Sequence, residues 1–305
     1  MPSPLQIGPV TVWPGFAQGK YPDGNQVMVR GRDSLAVFDT PLISNSLDAS
    51  FEAADLVVLG HVHEDHMTGL HRLPHAPVYV HRADVEAARS WEGLARHYGY
   101  SQPVLEDLHA KLLREFHYAP RPDAIAYEDG QSWDLGGTTI RAVHMPGHTA
   151  GHSVLLVEPE GIAFIGDIDL SSFGPYYGDA TSNLSDFRRT LSRIADLPAR
   201  VWITSHHKGV IDSRDEFLAL LKAFTARLDA REQRILDLLH ERPRTLDELV
   251  VARVVYRPEA RELWIDGAER RSIGQHLTEL QASGRVSQEG DGVWRPEGAP
   301  HAARP

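Results

Sequence analysis

Apolar positions along the chain change their period several times, and each change marks a different kind of element. Residues 5–40 carry short runs, "QIGPVTVW", "NQVMVRG" and "SLAVFDT", rich in Val and broken by Gly, Pro, Asn and Asp. Such runs predict short β-strands joined by turns. "ADLVVLG" is continuously apolar and predicts a strand covered on both faces, with "APVYVH" as another. Residues 83–118 switch to helical spacing, with a break at "GYSQP", and predict a helical insertion. Strands return in "SWDLG", "TTIRAVHMP", "SVLLVEP" and "GIAFIGD". "SNLSDFRRTLSRIADLP" predicts a helix with Asn or Ser as N-cap, and "ARVWITSHH" a strand before a long helical region. Strands alternating with helices in two successive blocks predict a layered α/β architecture, with helices covering sheets.

From residue 229 the character changes. "REQRILDLLHE", "TLDELVVARV" and "GAERRSIGQHLTELQASG" are three helical patterns, and "RVSQEGDGVWRP" predicts a hairpin turning at "EGDG". Three helices followed by a hairpin is the order of a winged helix. The expected division is a catalytic domain over 1–228, a winged-helix-like domain over 229–298 and a disordered tail over 299–305. In the third helix Ile273, Leu277 and Leu280 share a face, and Arg270 and Arg271 lie near its start. In a DNA-binding winged helix this would be the reading helix.

Composition narrows the chemistry. The 305 residues contain no cysteine, so disulfides, thiolate metal sites and cysteine nucleophiles are excluded. Any metal must be held by imidazole and carboxylate, and the chain has 17 histidines. The formal net charge of −11 argues against a phosphate-tracking surface, so a nucleic-acid partner is not expected. No apolar run approaches a membrane span, and "MPSPLQIGPVTVWPG" lacks the pattern of a signal peptide. A cytoplasmic protein with no membrane partner is the expectation.

The densest polar cluster is "HVHEDH", residues 61–66, directly after an apolar strand. His61 and His63 are two apart, so extended backbone points both to one side. Asp65 and His66 follow where the strand ends. The segment can therefore offer two imidazoles to one cation and a carboxylate plus an imidazole to a neighbour. Other apolar runs end at His148 in "HMPGHTAGHS", at Asp167 in "AFIGDIDL", and at His206 or His207 in "VWITSHHKG". Strand length favours His206. All could converge on one rim, where open α/β sheets place ligands.

This order of motifs resembles the metallo-β-lactamase superfamily over roughly residues 10–225. The resemblance implies an αββα sandwich with a metal held by His61, His63 and His148. It implies a second metal held by Asp65, His66 and His206, with Asp167 bridging and Asp39 supporting the metal loop. The two ions are expected to be zinc, with iron or manganese as alternatives. Two such ions activate a shared water as hydroxide. The expected activity is hydrolysis of a small ester, thioester or lactone, broadly like glyoxalase II. Asp65 would orient the nucleophile. Tyr177, with Tyr176 beside it, would line the pocket and stabilise an oxyanion. The alternatives are a metal-dependent endoribonuclease and a mononuclear Fe(II) persulfide-type dioxygenase needing only His61, His148 and Asp167. The C-terminal part is similar to the winged-helix appendage of lactamase-beta-2-like hydrolases. The insertion, with Trp91, His97, Tyr98 and Tyr100, would roof the cleft or join two copies in a homodimer. His152 is expected to be a core histidine, and His71, His75 and His81 surface or turn residues.

Overall fold

The structure, a computed structural model, describes residues 3–297, so the expected tail at 299–305 lies outside it. One sheet contains β1 (Leu5–Ile7), β2 (Val10–Trp13), β3 (Gln26–Arg30), β4 (Leu35–Phe38), β5 (Leu56–Val58), β6 (Val78–His81) and β7 (Ile125–Tyr127), side by side in chain order. The second has the order β13 (Val210–Ile211), β12 (Val201–Ile203), β11 (Ile162–Phe164), β10 (Ser153–Glu158), β9 (Thr139–His144) and β8 (Ser132–Asp134). Two single turns, α1 (Phe16–Gly19) and α2 (Ala49–Glu52), lie in the first block. In α1, Ala17 and Gln18 have left-handed backbone. The expected insertion is three helices: α3 (Val85–Arg89), α4 (Trp91–Tyr98) and α5 (Gln102–Glu115). Helices α6 (Leu184–Arg193) and α7 (Arg214–Glu241) belong to the second block.

Alternation along the strands builds the layers, because successive side chains leave a strand on opposite faces. Ala36, Phe38, Leu56 and Val58 face the second sheet, where they meet Leu155, Val157, Phe164 and Ile203 in one core. Their neighbours Val37 and Val57 face outward, onto Phe51, Leu94 and Leu112. Val154, Leu156 and Trp202 cover the other outer face, against Phe187, Phe217 and Phe224 of α6 and α7. The central strands of both sheets are therefore buried on both faces, which explains why they read as continuous apolar runs. The result is the mixed α/β sandwich, with helices outside two sheets, that the alternation implied. Asn183 caps α6 by accepting from the Asp186 amide, as expected from its sequence. The short strands β7 and β13 were not legible as runs.

The C-terminal residues form α8 (Leu246–Ala252), α9 (Ile265–Ala282) and a three-stranded sheet of β14 (Arg244–Thr245), β16 (Val293–Pro296) and β15 (Val286–Gln288). Their core joins Ile235, Leu239, Leu249, Ile273, Leu277 and Trp294. The expected boundary at 228/229 falls inside α7, which runs unbroken for 28 residues. Its first half packs on the second sheet through Phe217, Phe224 and Leu228, and its second half on the C-terminal core through Ile235 and Leu239.

Trp202 stacks on Phe217 with centroids 4.2 Å apart and is fully buried. Trp202→Ala should cost about 3–5 kcal/mol in denaturant unfolding, through lost transfer energy and the cavity left behind. A loss below about 1 kcal/mol would show that this face can collapse around the gap.

Candidate metal centre

Five strand ends create the site. β4 and β5 are parallel neighbours in the first sheet. In the second, β9 and β11 both run antiparallel to β10, and β12 is parallel to β11. The segments leaving β4, β5, β9, β11 and β12 thus emerge at one rim, where they carry Asp39, His61–His66, His148, Asp167 and His206. After β5 the chain bends at Gly60–His61, is extended at His63 and then tightens into one 3-10 turn, Glu64–His66. That turn swings Asp65 and His66 to a position beside His61 and His63.

Two groups of atoms result. His148 Nε2 lies 3.2 Å from His61 Nε2 and 3.1 Å from His63 Nδ1, with Asp167 Oδ2 at 3.3 Å. Nearby, His206 Nε2 lies 3.0 Å from Asp65 Oδ2, and His66 Nε2 lies 3.2 Å from Asp167 Oδ1. Each group brings its candidate ligand atoms within 4.8 Å of one another, and Asp167 reaches both. His66 Nε2, His206 Nε2 and Asp167 Oδ1 are buried without hydrogen-bond geometry to any partner. Bare nitrogens and oxygens this close are costly alone and suit a shared cation. The donor set of imidazole and carboxylate fits a divalent metal.

The far side of the rings is occupied. His66 Nδ1 meets Asp39 Oδ2 at 2.8 Å, and Asp39 Oδ1 accepts from the Gly60 amide. His63 Nε2 meets Asp179 Oδ2 at 2.8 Å. His148 Nδ1 donates to the Tyr176 carbonyl and His206 Nδ1 to that of Asp23. Carboxylates and carbonyls only accept, so these contacts fix one ring proton on the outer nitrogen and turn the inner nitrogen toward the place a cation would occupy.

The family model for the metallo-β-lactamase superfamily matches residues 52–223. The chain belongs to that superfamily. It is similar to the beta-lactamase-like protein 2 homolog of Drosophila melanogaster, at 27% identity over 241 residues, covering 78% of this chain and 72% of that one. It is 29% identical to the human acyl-coenzyme A thioesterase MBLAC2 over 205 residues, covering 59% of this chain and 71% of the relative. Among solved structures, a metallo-β-lactamase family protein of Thermus thermophilus overlays with a TM-score of 0.63 at 25% identity, covering 97% of each chain.

In this superfamily chain the structure brings together His61, His63, Asp65, His66, His148, Asp167 and His206. His207 instead takes a left-handed conformation, is 35% exposed and lies nearest Asp169. His152 is buried behind the cluster, where its Nε2 accepts from the Asp167 amide. Two expectations need correction. Tyr177 does not face the cluster: its hydroxyl meets His276 Nε2 at 2.8 Å and accepts from Arg231. His81 is not a surface residue but is buried and stacked on His144 at 4.1 Å. Of the insertion, Tyr98 stacks over the His63 ring at 5.9 Å and Tyr100 donates to Asp179, whereas Trp91 turns away onto His109.

Two carboxylates escaped the sequence reading. Asp179 looks like an ordinary turn residue in "YYGDATS". Glu64 accepts from the hydroxyls of Tyr21 and Tyr98, and so ties the N-terminal loop and α4 to the metal turn.

Burial pushes imidazoles toward the neutral form. It holds His61 well below its ordinary value, helped by the neighbouring His66 charge. Burial disfavours charge on His63 too, but the Asp179 hydrogen bond and charge outweigh it and hold this ring at about 9. For His206, Asp167 and Asp65 overcome burial and raise it to about 10. Asp167 is held well below the usual carboxylate range, because His206, His66 and His61 outweigh burial. Asp65, Asp167 and Asp39 likewise outweigh burial and hold His66 well above its ordinary value, so the metal-free protein at neutral pH has protonated His63, His66 and His206 facing ionised carboxylates. A cation must expel those protons, so Zn2+ affinity should rise with pH from neutrality to at least about 10. Calorimetry in buffers of different ionisation enthalpy should register proton release at neutral pH, and none would contradict this charge state. His206→Ala should lower the metal content found by elemental analysis, while His207→Ala should leave it unchanged. The reverse pattern would exchange their roles.

Proposed function

We propose that the protein is a binuclear metal-dependent hydrolase, with zinc as its metal, that cleaves small thioesters or esters. The observation that carries this reading is Asp167, one carboxylate that reaches both ligand groups. His61, His63 and His148 would hold one ion, and Asp65, His66 and His206 the other. Bound there, two divalent ions supply a water of lowered pKa and a Lewis acid for a carbonyl oxygen.

The chain's own residues do the rest. Asp167, 16% exposed, is the most accessible of the seven side chains, so substrate approaches over it. Asp65 lies among His66 and His206, which outweigh burial and keep it ionised. It can therefore orient the attacking water and accept a proton at a carboxylate oxygen. Tyr98, Tyr100 and Tyr176 direct their hydroxyls to Glu64 or Asp179 and so wall the site rather than polarise the substrate. The relative named as an acyl-coenzyme A thioesterase supports thioesters as the first substrate class. The three-residue iron alternative would leave Asp65, His66 and His206 without a purpose.

The order of helices and hairpin supports reading the C-terminal unit as winged-helix-like, with a structural role. Its α9 buries Ile265, Ala268, Ser272 and His276. Arg270 pairs with Asp247, and Arg271 turns inward onto backbone carbonyls. These contacts oppose the nucleic-acid reading. Among the described residues no helix is long and apolar enough to cross a membrane.

The purified protein should carry two zinc equivalents and hydrolyse members of a panel of acyl-coenzyme A thioesters, simple esters and lactones. Asp167→Ala should lose metal and activity together, with activity falling at least about 100-fold. Full activity with both metals retained in that variant, or iron with oxygen consumption in the parent, would overturn the proposal.

A further inference from the structure

His63 is held from outside by Asp179, and Asp179 is held by the C-terminal unit. Asp179 sits in the loop between β11 and α6, and α9 grips that loop on both sides of it, at Tyr177, Gly178 and Leu184. Gln275 donates to the Tyr177 carbonyl at 3.0 Å and accepts from the Leu184 amide at 2.6 Å. Gly178 lies directly against α9: a β-carbon there would sit 2.6 Å from that of Ala268.

Arg271 joins this loop to the roof of the site. Its Nη1 donates to the carbonyls of Gly178 at 3.2 Å and Tyr98 at 2.8 Å, and its Nη2 to that of Gly99. The guanidinium lies 5.3 Å over the Tyr100 ring, whose hydroxyl donates to Asp179 Oδ1 at 2.6 Å. Gly267, one turn earlier on α9, makes room for that ring: a β-carbon there would come within 2.8 Å of Tyr100 Cδ1. One planar fork thus fixes the two backbone segments that meet over His63, at the end of α4 and before Asp179. Asp179 has both oxygens committed, Oδ1 to Tyr100 and Tyr176 and Oδ2 to His63 Nε2.

We infer that Arg271 is a positioning residue for the metal centre, holding Asp179 and Tyr100 so that His63 keeps Nδ1 aimed at His61 and His148. The C-terminal unit is then part of the site's support. This rests on reading the His61, His63 and His148 group as a cation site. It does not depend on which substrate the site serves.

The test uses full-length Arg271→Ala, Arg271→Lys, Asp179→Asn and the double variant of Ala and Asn, with Arg270→Ala as a control on the same helix. Zn2+ affinity is measured by chelator competition. Separately, the His63 imidazole proton is followed by NMR in the metal-free protein, assigned as the downfield resonance that Asp179→Asn removes. Outer-sphere support of this kind is worth roughly 10–100-fold in metal affinity. Arg271→Ala should weaken Zn2+ binding by about 10-fold or more and broaden or remove the His63 resonance. Arg271→Lys should recover part of both, and Arg270→Ala should change neither. Because Arg271 acts through Asp179, the double variant should bind no more weakly than Asp179→Asn alone.

Wild-type affinity with an intact resonance in Arg271→Ala, or additive losses in the double variant, would overturn the inference. Should Arg271→Ala fail to fold, Arg271→Lys takes its place in the cycle with the same two criteria. Both readouts are taken without substrate, so the hydrolase reading and this one fail separately.

Discussion

An imidazole has two nitrogens, and a rim of histidines works as a ligand set only if the fold engages the outer one. Unpinned rings would turn, and their protons would fall where a cation must sit. Here Asp39, Asp179, the Tyr176 carbonyl and the Asp23 carbonyl each take one ring proton, on His66, His63, His148 and His206. These partners come from three parts of the chain: Asp23 from the loop after β2, Asp39 from the end of β4, and Tyr176 and Asp179 from the loop between β11 and α6. The geometry therefore exists only when both sheets, the N-terminal loop and the loop before α6 are all in place. His61 differs: its Nδ1 is buried without a hydrogen-bond partner, and the rings of His66 and His148 hold it by contact.

Support for the site spreads outward in layers. Behind the imidazoles lie carboxylates and carbonyls, and behind those lie cations that tie down loops. Arg231 on α7 donates to the carbonyls of Phe173 and Pro175, and Arg271 on α9 to those of Tyr98, Gly99 and Gly178. A guanidinium suits this work because its fork can satisfy several carbonyls at once. An acidic chain thus uses some of its limited positive charge on its own backbone.

How much was legible in the sequence follows from what periodicity can carry. His61, His63, Asp65, His66, His148, Asp167 and His206 could be placed at one rim because an apolar run fixes where a strand stops, and the rim is defined by strand ends. Counting along "VWITSHH" from β12 is what separates His206 from His207. Tyr177 was misplaced for the complementary reason. Two adjacent residues in extended backbone point to opposite sides, and without a ladder to set the register the pair "YY" could not be assigned a face. Tyr176 took the side of the cluster, and Tyr177 that of α9. Asp179 was hidden because the contacts that tie it to the cluster and the insertion reach 116 and 79 positions away, to His63 and Tyr100, and its neighbours alone do not distinguish it from a turn aspartate. The change of character near residue 229 marks where α7 passes from the second sheet to the C-terminal core, changing partners without changing conformation.

That helix has a mechanical consequence. α7 lays Phe217 and Phe224 on one core and Ile235 and Leu239 on another, with no turn between them. Two bodies welded to one rod cannot hinge at their junction, because bending it would break backbone hydrogen bonds in mid-helix. The C-terminal unit is thus denied the swinging motion that a flexible tether would give it.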